Sequence, residues 1–179
     1  MTTNLFMAGF GGQGVLLAGN LLAYAAIDMG LNASFFPAYG VEKRGGTANC
    51  TLVISSETVG SPVIGNPESL LAFNPQAMTQ FFPKVKEGGE CILNSSLIKD
   101  FEPRDDVDMI MIPAVDIALA VGDARLVNMV MLGAYLSRHP LVPLHNVKVA
   151  LEKVLPERNH RFLPMNYNAL DAGAIYHPE

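Results

Sequence analysis

Six residues near the start of the chain, Gly9-Phe10-Gly11-Gly12-Gln13-Gly14, have the types and spacing of an anion-binding turn. They follow the apolar run 5–8 and precede a long apolar helical pattern over 14–29. The first N–H groups of a helix have no intrahelical partners, and the helix dipole is positive at that end. Glycine is needed where φ is positive or where a side chain would block close approach. We therefore expect Gly11 to Gly14 to contribute to a binding site.

Gly9, Gly11 and Gly14 of this turn also match the dinucleotide-binding pattern G-x-G-x-x-G. That pattern places an acidic residue about 20 residues further on, at the end of the second strand, to hold the ribose hydroxyls. The second strand here, over 32–37, ends in proline. Asp28 precedes it on the helix, and Glu42 follows it in a loop. This weakens the nicotinamide interpretation, and a tight turn that binds nothing stays as the alternative.

A second loop, over 37–47, combines an aromatic residue, both signs of charge and three glycines. Surface loops of this kind often carry function. Five residues in it are candidates for ligand contact: Tyr39, Glu42, Arg44, Gly45 and Gly46.

Arg44 carries the clearest chemistry of these candidates, since a guanidinium offers a fixed fork of donors to a phosphate or carboxylate. The alternative is an ion pair with Glu42 or Glu57. Tyr39 either stacks on a ligand ring or half-buries its own ring and hydrogen-bonds its hydroxyl. Gln13 either donates to a ligand oxygen or ties down the glycine turn.

Strand patterns alternate with helix patterns along the chain, and no boundary divides it. We therefore predict an α/β fold in one domain over 1–179, with a Rossmann-like, mostly parallel sheet and helices on both faces. Asn74-Pro75 predicts a capped helix start, and Gly88-Gly89 its end. Strands are predicted over 5–8, 33–36, 48–55, 70–73, 91–93 and 109–112, and the other helices over 14–29, 117–121, 126–136, 146–155 and 161–176.

The surface of this chain is short of charge. Charged residues make up 16% of the chain against about 25% in a typical domain, and hydrophobic residues make up 50%. We expect partners to cover some apolar surface, and the isolated chain to self-associate. The net charge of -5 argues against nucleic acid as a partner. The longest apolar stretch, over 15–27, is too short to span a membrane, and residues 1–4 lack signal features, so we expect a cytoplasmic location.

Metal chemistry has little support in the sequence. Cys50 and Cys91 are isolated in apolar strand patterns, whereas an iron–sulfur cluster usually needs four cysteines, so we expect buried, inert thiols. The aspartates over 105–108 are typical of a solvated turn. The histidines have no zinc-site spacing, and they lie at His139, His145, His160 and His177. We predict no metal bound by this chain.

The two glycine-bearing loops and several later segments resemble the gamma subunit, or gamma domain, of the 2-oxoacid:ferredoxin oxidoreductases. The resemblance runs in the same order through nearly the whole chain, and it rests on segments 9–15, 39–50, 60–62, 113–118, 128–134 and 168–173.

The resemblance implies an enzyme complex that oxidatively decarboxylates a 2-oxoacid to its acyl-coenzyme A and passes the electrons to ferredoxin. Thiamine diphosphate and the iron–sulfur clusters then lie on partner subunits, thiamine-binding and ferredoxin-like. This chain binds none of these cofactors alone, packs on the thiamine-binding subunits and shapes the coenzyme A side of the site. It is inactive in isolation. The alternatives are a free-standing dinucleotide-dependent oxidoreductase and a scaffold whose loops touch no ligand.

Overall fold

The structure is a computed structural model, and it describes residues 2–39, 46–61 and 64–176. Its centre is a six-stranded sheet with the order β2-β3-β1-β4-β5-β6. The strands are β1 (Thr2–Phe10), β2 (Asn32–Tyr39), β3 (Thr47–Ser55), β4 (Ser69–Ala72), β5 (Glu90–Asn94) and β6 (Asp108–Ile112). The helices are α1 (Val15–Asp28), α2 (Pro75–Phe81), α3 (Ala114–Val121), α4 (Val127–Arg138), α5 (Leu144–Val154) and α6 (Leu163–Ile175).

The sheet is mostly parallel, as the alternation of strands and helices predicted. β1 pairs in parallel with β4, β4 with β5, and β5 with β6. β3 is antiparallel to both β1 and β2, so β2 runs in the same direction as the other strands. β2 ends at Tyr39 and β3 begins at Thr47, which leaves too few residues for the crossover connection that a parallel neighbour needs.

Several predicted boundaries were wrong, among them the end of the second strand and the end of the helix after Asn74. The second strand does not end at Pro37 but continues to Tyr39. β2 lies at the edge of the sheet, where the missing N–H of a proline is tolerated. The helix that begins after Asn74 ends at Phe81 and not at Gly88-Gly89, because a 3₁₀ turn over Phe82–Lys84 follows it and contains Pro83. The predicted cap is confirmed, since Asn74 Oδ1 accepts from the N–H of Ala77 at 2.8 Å.

Helices cover both faces of the sheet, as predicted. On one face, α1 and α3 to α6 pack over side chains such as Met7, Cys50 and Ile92. On the other, α2 and the 3₁₀ turn after it pack over Leu70, Cys91 and Leu93. The two cysteines therefore lie in separate cores, both fully buried and free. Burial raises the pKa of both thiols to about 12, and the neighbouring Glu90 carboxylate adds to the effect at Cys91.

Two glycines set the close approach of α4 and α6. A Cβ built on Gly133 would lie 2.0 Å from the carbonyl oxygen of Leu170, and one on Gly173 would lie 2.0 Å from that of Val130. Only hydrogen fits at either position, so the two helix backbones are in direct contact. The methionine-rich segment over 129–131 is fully buried in α4.

Several large apolar side chains are exposed on the described surface, as the low charge of the chain led us to expect. The most exposed are Ile175 at 74%, Ile27 and Leu119 at 58%, and Phe36 at 51%. Within the described ranges, no helix is long and apolar enough to cross a membrane.

Candidate functional site

The glycine turn lies where the chain changes direction across the sheet. From β1 the chain passes through α1 to β2 and β3 on one side of β1, and it then returns to β4 on the other side. β1 and β4 are parallel neighbours, so the turn lies outside the carboxyl ends of both strands. Ligands of open α/β sheets bind at such switch points.

The turn itself has the predicted conformation. Gly12 and Gly14 have φ values of 99° and 73°, which are accessible to glycine at little cost. Gly11 and Gly12 are exposed. Gly14 caps α1 without a side-chain bond, and its carbonyl accepts the N–H of Ala18 at 3.0 Å. The first amides of α1 are thus without intrahelical partners at a positively polarised helix end, next to the exposed Gly11 and Gly12.

Gln13 ties the turn to the neighbouring strand. Its Oε1 accepts from the backbone N–H of Phe10 at 2.7 Å and from Asn74 Nδ2 at 3.2 Å, and its Nε2 lies 3.5 Å from the carbonyl oxygen of Phe73. These contacts match the second of the two interpretations of Gln13, in which its side chain holds the glycine turn in place. They also explain Gly9, where a Cβ would lie 2.6 Å from Gln13 Oε1.

The structure brings part of the second loop to the same place. The N–H of Gly11 donates to the carbonyl oxygen of Gly46 at 2.9 Å, just before β3 begins. Tyr39 ends β2 at this edge of the sheet, paired with Ala48. The side chain of Tyr39 and the residues Glu42, Arg44 and Gly45 lie outside what the structure describes, so their roles stay predictions.

Three buried asparagines support the turn and were not among the predicted site residues. Asn74, besides capping α2, donates to Gln13, and Asn94 at the end of β5 donates to the carbonyl oxygen of Phe73 at 3.2 Å. Asn128, in the first turn of α4, donates from Nδ2 to the carbonyl oxygen of Gly14 at 3.2 Å. The available signal for the first two was an asparagine directly after a predicted strand, 70–73 for Asn74 and 91–93 for Asn94. No local signal identifies Asn128, which lies 114 residues from its partner.

A cavity of about 280 Å³ adjoins the turn. Leu17 of α1 and Asn128 of α4 line the cavity near the turn, and Phe162 and Met165 are among its apolar lining residues. The described residues of the turn and of its hydrogen-bond partners contain no titratable side chain. Asp123 and Arg125 also line the cavity. This arrangement is suited to binding an anion and an apolar segment next to it.

A cluster of charged side chains lies at the other end of the strands, where β4, β5 and β6 begin. Buried Glu90 accepts from Ser69 Oγ at 2.9 Å and Arg138 Nε at 3.0 Å, and it pairs with His139. Burial alone would raise the pKa of Glu90, but the hydrogen bond and charge of His139 and the bonds from Arg138 and Ser69 outweigh it, so the pKa is lowered. Arg138 also pairs with Asp108. Both carboxylate oxygens of Glu90 therefore have partners within the chain.

Among the described residues, no group of histidine, cysteine or carboxylate side chains is arranged to hold a metal ion. Cys50 and Cys91 do not fit the thiolate donor set of an iron–sulfur cluster, because each lies in a separate core with a strongly raised pKa.

Comparison with known proteins gives consistent matches. A model of the protein family described as pyruvate ferredoxin/flavodoxin oxidoreductase matches residues 4–176. The ketoisovalerate oxidoreductase subunit VorA of Methanothermobacter marburgensis is 44% identical over 131 residues, which are 73% of this chain and 27% of that protein. The 2-oxoglutarate synthase subunit KorC of the same organism is 34% identical over 163 residues, covering 87% of this chain and 88% of KorC. This chain therefore spans about a quarter of the length of VorA but nearly all of KorC.

Two solved structures share the fold. The gamma subunit of a keto/oxoacid ferredoxin oxidoreductase from Geobacter sulfurreducens PCA has a TM-score of 0.84 at 28% identity, and the match covers 97% of this chain and 95% of that one. A 2-oxoglutarate:ferredoxin oxidoreductase from Magnetococcus marinus, with 2-oxoglutarate, coenzyme A and succinyl-CoA bound, has a TM-score of 0.86 at 27% identity. That match covers 96% of this chain and 30% of the other.

Proposed function

Because this chain belongs to the pyruvate ferredoxin/flavodoxin oxidoreductase family, we propose that it is the gamma subunit of a 2-oxoacid:ferredoxin oxidoreductase complex. In this role it packs on thiamine-diphosphate-binding subunits and shapes the coenzyme A side of the active site. The observation that carries the proposal is the family match over residues 4–176, which includes both glycine-bearing loops. The near end-to-end likeness to a solved gamma subunit supports it.

The glycine turn is the part of this chain that we assign to coenzyme A. The related Magnetococcus enzyme was solved with coenzyme A bound. The exposed backbone of Gly11 and Gly12 and the first amides of α1 suit a phosphate group of that ligand. Arg44 adds a guanidinium from the second loop. Tyr39, Glu42, Gly45 and Gly46 complete the set, since Gly46 is bonded to the turn.

The remaining chemistry belongs to partner chains in this proposal. Thiamine diphosphate supplies the decarboxylation, and iron–sulfur clusters of a ferredoxin-like subunit pass the electrons to ferredoxin. Within the described residues this chain offers no thiolate set for a cluster, and residues 9–14 of the glycine turn carry no titratable side chain. We therefore propose that it is cytoplasmic, inactive alone and prone to self-association when isolated, with its apolar surface exposed.

The substrate class is a 2-oxoacid, and its side chain is left to the partner subunits. The relatives of this chain are subunits of proteins named for ketoisovalerate, 2-oxoglutarate and pyruvate. The described residues of the glycine turn provide no pocket that distinguishes among these side chains.

A free-standing dinucleotide-dependent oxidoreductase is the second candidate, because the turn also fits the dinucleotide pattern. Titration of the isolated chain with NAD, NADP and FAD separates the two. We expect no binding at micromolar concentrations of any of them, since the acidic ribose ligand is missing. Micromolar binding together with turnover of a reduced pyridine nucleotide would favour the second candidate.

Variants of the two loops test the coenzyme A assignment in the assembled complex. A Cβ at Gly11 would lie 3.7 Å from the carbonyl oxygen of Gly46, an ordinary contact, so Gly11→Ala keeps the fold and adds a methyl group to the exposed turn. We expect Gly11→Ala and Arg44→Ala each to raise the coenzyme A Michaelis constant about tenfold, which corresponds to about 1.4 kcal/mol.

The matched control is Gly65→Ala, at an exposed glycine with open space around it. Its coenzyme A kinetics should equal those of the wild type. Normal coenzyme A kinetics in both loop variants would refute the assignment and leave the scaffold interpretation, in which the loops touch no ligand.

A further inference from the structure

We propose that Asn128 is a positioning residue for the glycine turn, acting through the peptide group between Gly14 and Val15. The proposal deepens the proposed function and rests on it where it concerns coenzyme A. Asn128 does not belong to the turn, and it is one of few buried polar residues, with 4% of its surface exposed. Its amide reaches the turn from α4, on a distant part of the chain.

The carbonyl of Gly14 has both of its acceptor positions filled. It accepts from the N–H of Ala18 at 3.0 Å and from Asn128 Nδ2 at 3.2 Å. A carbonyl oxygen has two lone pairs, so the orientation of this group is fixed on two sides. The first bond lies within α1, but the second comes from outside and holds the turn against α4.

Fixing that carbonyl also fixes the neighbouring N–H. The peptide group is planar and trans, so the C=O of Gly14 and the N–H of Val15 point in opposite directions. The C=O points into α1, and the N–H points out of its amino-terminal end. This N–H is one of the first amides of the helix, which have no intrahelical partner. Asn128 therefore fixes the direction of the Val15 N–H, one of the amides that we assign to a phosphate group of coenzyme A.

The orientation of the Asn128 amide is itself determined. Its Oδ1 accepts from the backbone N–H of Met129 at 3.0 Å, which leaves Nδ2 facing Gly14. A Cβ built on Gly14 would lie only 2.4 Å from Nδ2, so the amide occupies the space that any side chain at position 14 would need. Gly14 is thus required by its φ of 73° and by its contact with Asn128.

The helix that carries Asn128 is a firm support. Most of α4 is buried, and its backbone touches α6 at Gly133. Its other end is held by the bonds from Arg138 and His139 to Glu90. Movement of Asn128 away from the turn would require α4 to leave these contacts.

Two variants of Asn128 remove the donor in different ways. Asn128→Asp has nearly the same size but no N–H, and Asn128→Ala removes the polar group without adding charge. The first readout is hydrogen exchange of the full isolated chain, measured at the amides of Gly11, Gln13 and Ala18, whose bonds hold the turn together. We expect both variants to increase these exchange rates at least tenfold.

The second readout is kinetics of the assembled complex. We expect the coenzyme A Michaelis constant to rise about tenfold in both variants, with kcat and the 2-oxoacid Michaelis constant within twofold of the wild type. A purely structural role would lower the amount of active complex and kcat instead. The control is Asn66→Ala, which removes an amide-to-carbonyl bond of 2.9 Å to Lys84 and should leave both readouts unchanged.

Unchanged exchange at the turn in both Asn128 variants would overturn the positioning role, whatever the kinetics. Faster exchange with an unchanged coenzyme A Michaelis constant would support the positioning role but remove coenzyme A from the turn, and so contradict the proposed function. If Asn128→Ala does not fold, the nearly isosteric Asp variant still provides both measurements.

Discussion

Replacing Gly133 by alanine tests the packing of α4 on α6. The added Cβ would lie 2.0 Å from the carbonyl oxygen of Leu170, at least 1.0 Å inside the 3.0 Å that real Cβ atoms respect. The obstacle is helix backbone, so no side-chain rotation relieves it, and the helices must move apart. Alanine also removes the conformational freedom of a helical glycine, which favours the variant by about 0.5–1 kcal/mol.

The two effects oppose each other, and the clash is the larger. Overpacking of a well-packed interior costs about 1–3 kcal/mol, and this site lies at the upper end because backbone must shift. After subtracting the helix preference of alanine, we expect Gly133→Ala to lower the free energy of unfolding by about 2 kcal/mol. For a chain of this size, that corresponds to a fall in Tm of about 4–8 °C.

The assay is urea denaturation followed by circular dichroism, with thermal melting as a second measure. Gly173→Ala should behave alike, since its Cβ would lie 2.0 Å from the carbonyl oxygen of Val130. The double variant should lose less than the sum of the two, because a single separation of the helices relieves both clashes. Gly65→Ala, in open space, should stay within about 0.5 kcal/mol of the wild type. Equal stability of Gly133→Ala and this control would refute the direct contact between the two helices.

Three further measurements test other parts of the structure. The pKa of Glu90 is lowered on folding, so its stabilising effect is present above the usual glutamate pKa of about 4.3 and is lost as the pH falls through the folded value. Between about pH 5 and pH 3, the free energy of unfolding should therefore fall more steeply for the wild type than for Glu90→Gln. Parallel pH curves of the two proteins would contradict the ion-pair cluster. With pKa values of about 12, Cys50 and Cys91 should not react with a thiol reagent at about pH 8 until the chain is denatured, and rapid reaction of the folded chain would show that a thiol is accessible. Asn74→Ala should lower the free energy of unfolding by about 1–2 kcal/mol, because the α2 cap is lost. Asn74→Asp should lower it less, because the aspartate keeps the acceptor for Ala77. Equal losses in the two variants would assign the effect to the bond with Gln13.

The sequence predicted the elements with strong local signals. The glycine turn and the capped start of α2 follow from patterns within a few residues, and the mostly parallel sheet follows from the alternation of strands and helices along the chain. Its errors have local causes as well. Pro37 ended the predicted second strand because an edge position cannot be recognised from sequence alone, and Pro83 ended α2 earlier than the glycines did.

The two loops of the candidate site were recognisable in the sequence, but the residues that support the glycine turn were not. Gly11 and Gly46 were both predicted site residues, but the bond that joins them links two separate turns, which only the paired strands bring together. No helical or capping pattern around Asn128 indicates a contact with Gly14. That contact is visible only when α4 is placed beside the turn. The direct contact at Gly133 and Gly173 likewise depends on the crossing of two helices.

The most direct test of the proposed function is purification of this chain, tagged, from its native cells, followed by an assay of dye reduction with a panel of 2-oxoacids. We predict that partner chains carrying thiamine diphosphate and iron–sulfur clusters copurify, and that reduction requires both a 2-oxoacid and coenzyme A. The isolated chain should show no activity. A lone monomer that oxidises a reduced pyridine nucleotide without partners would contradict the account.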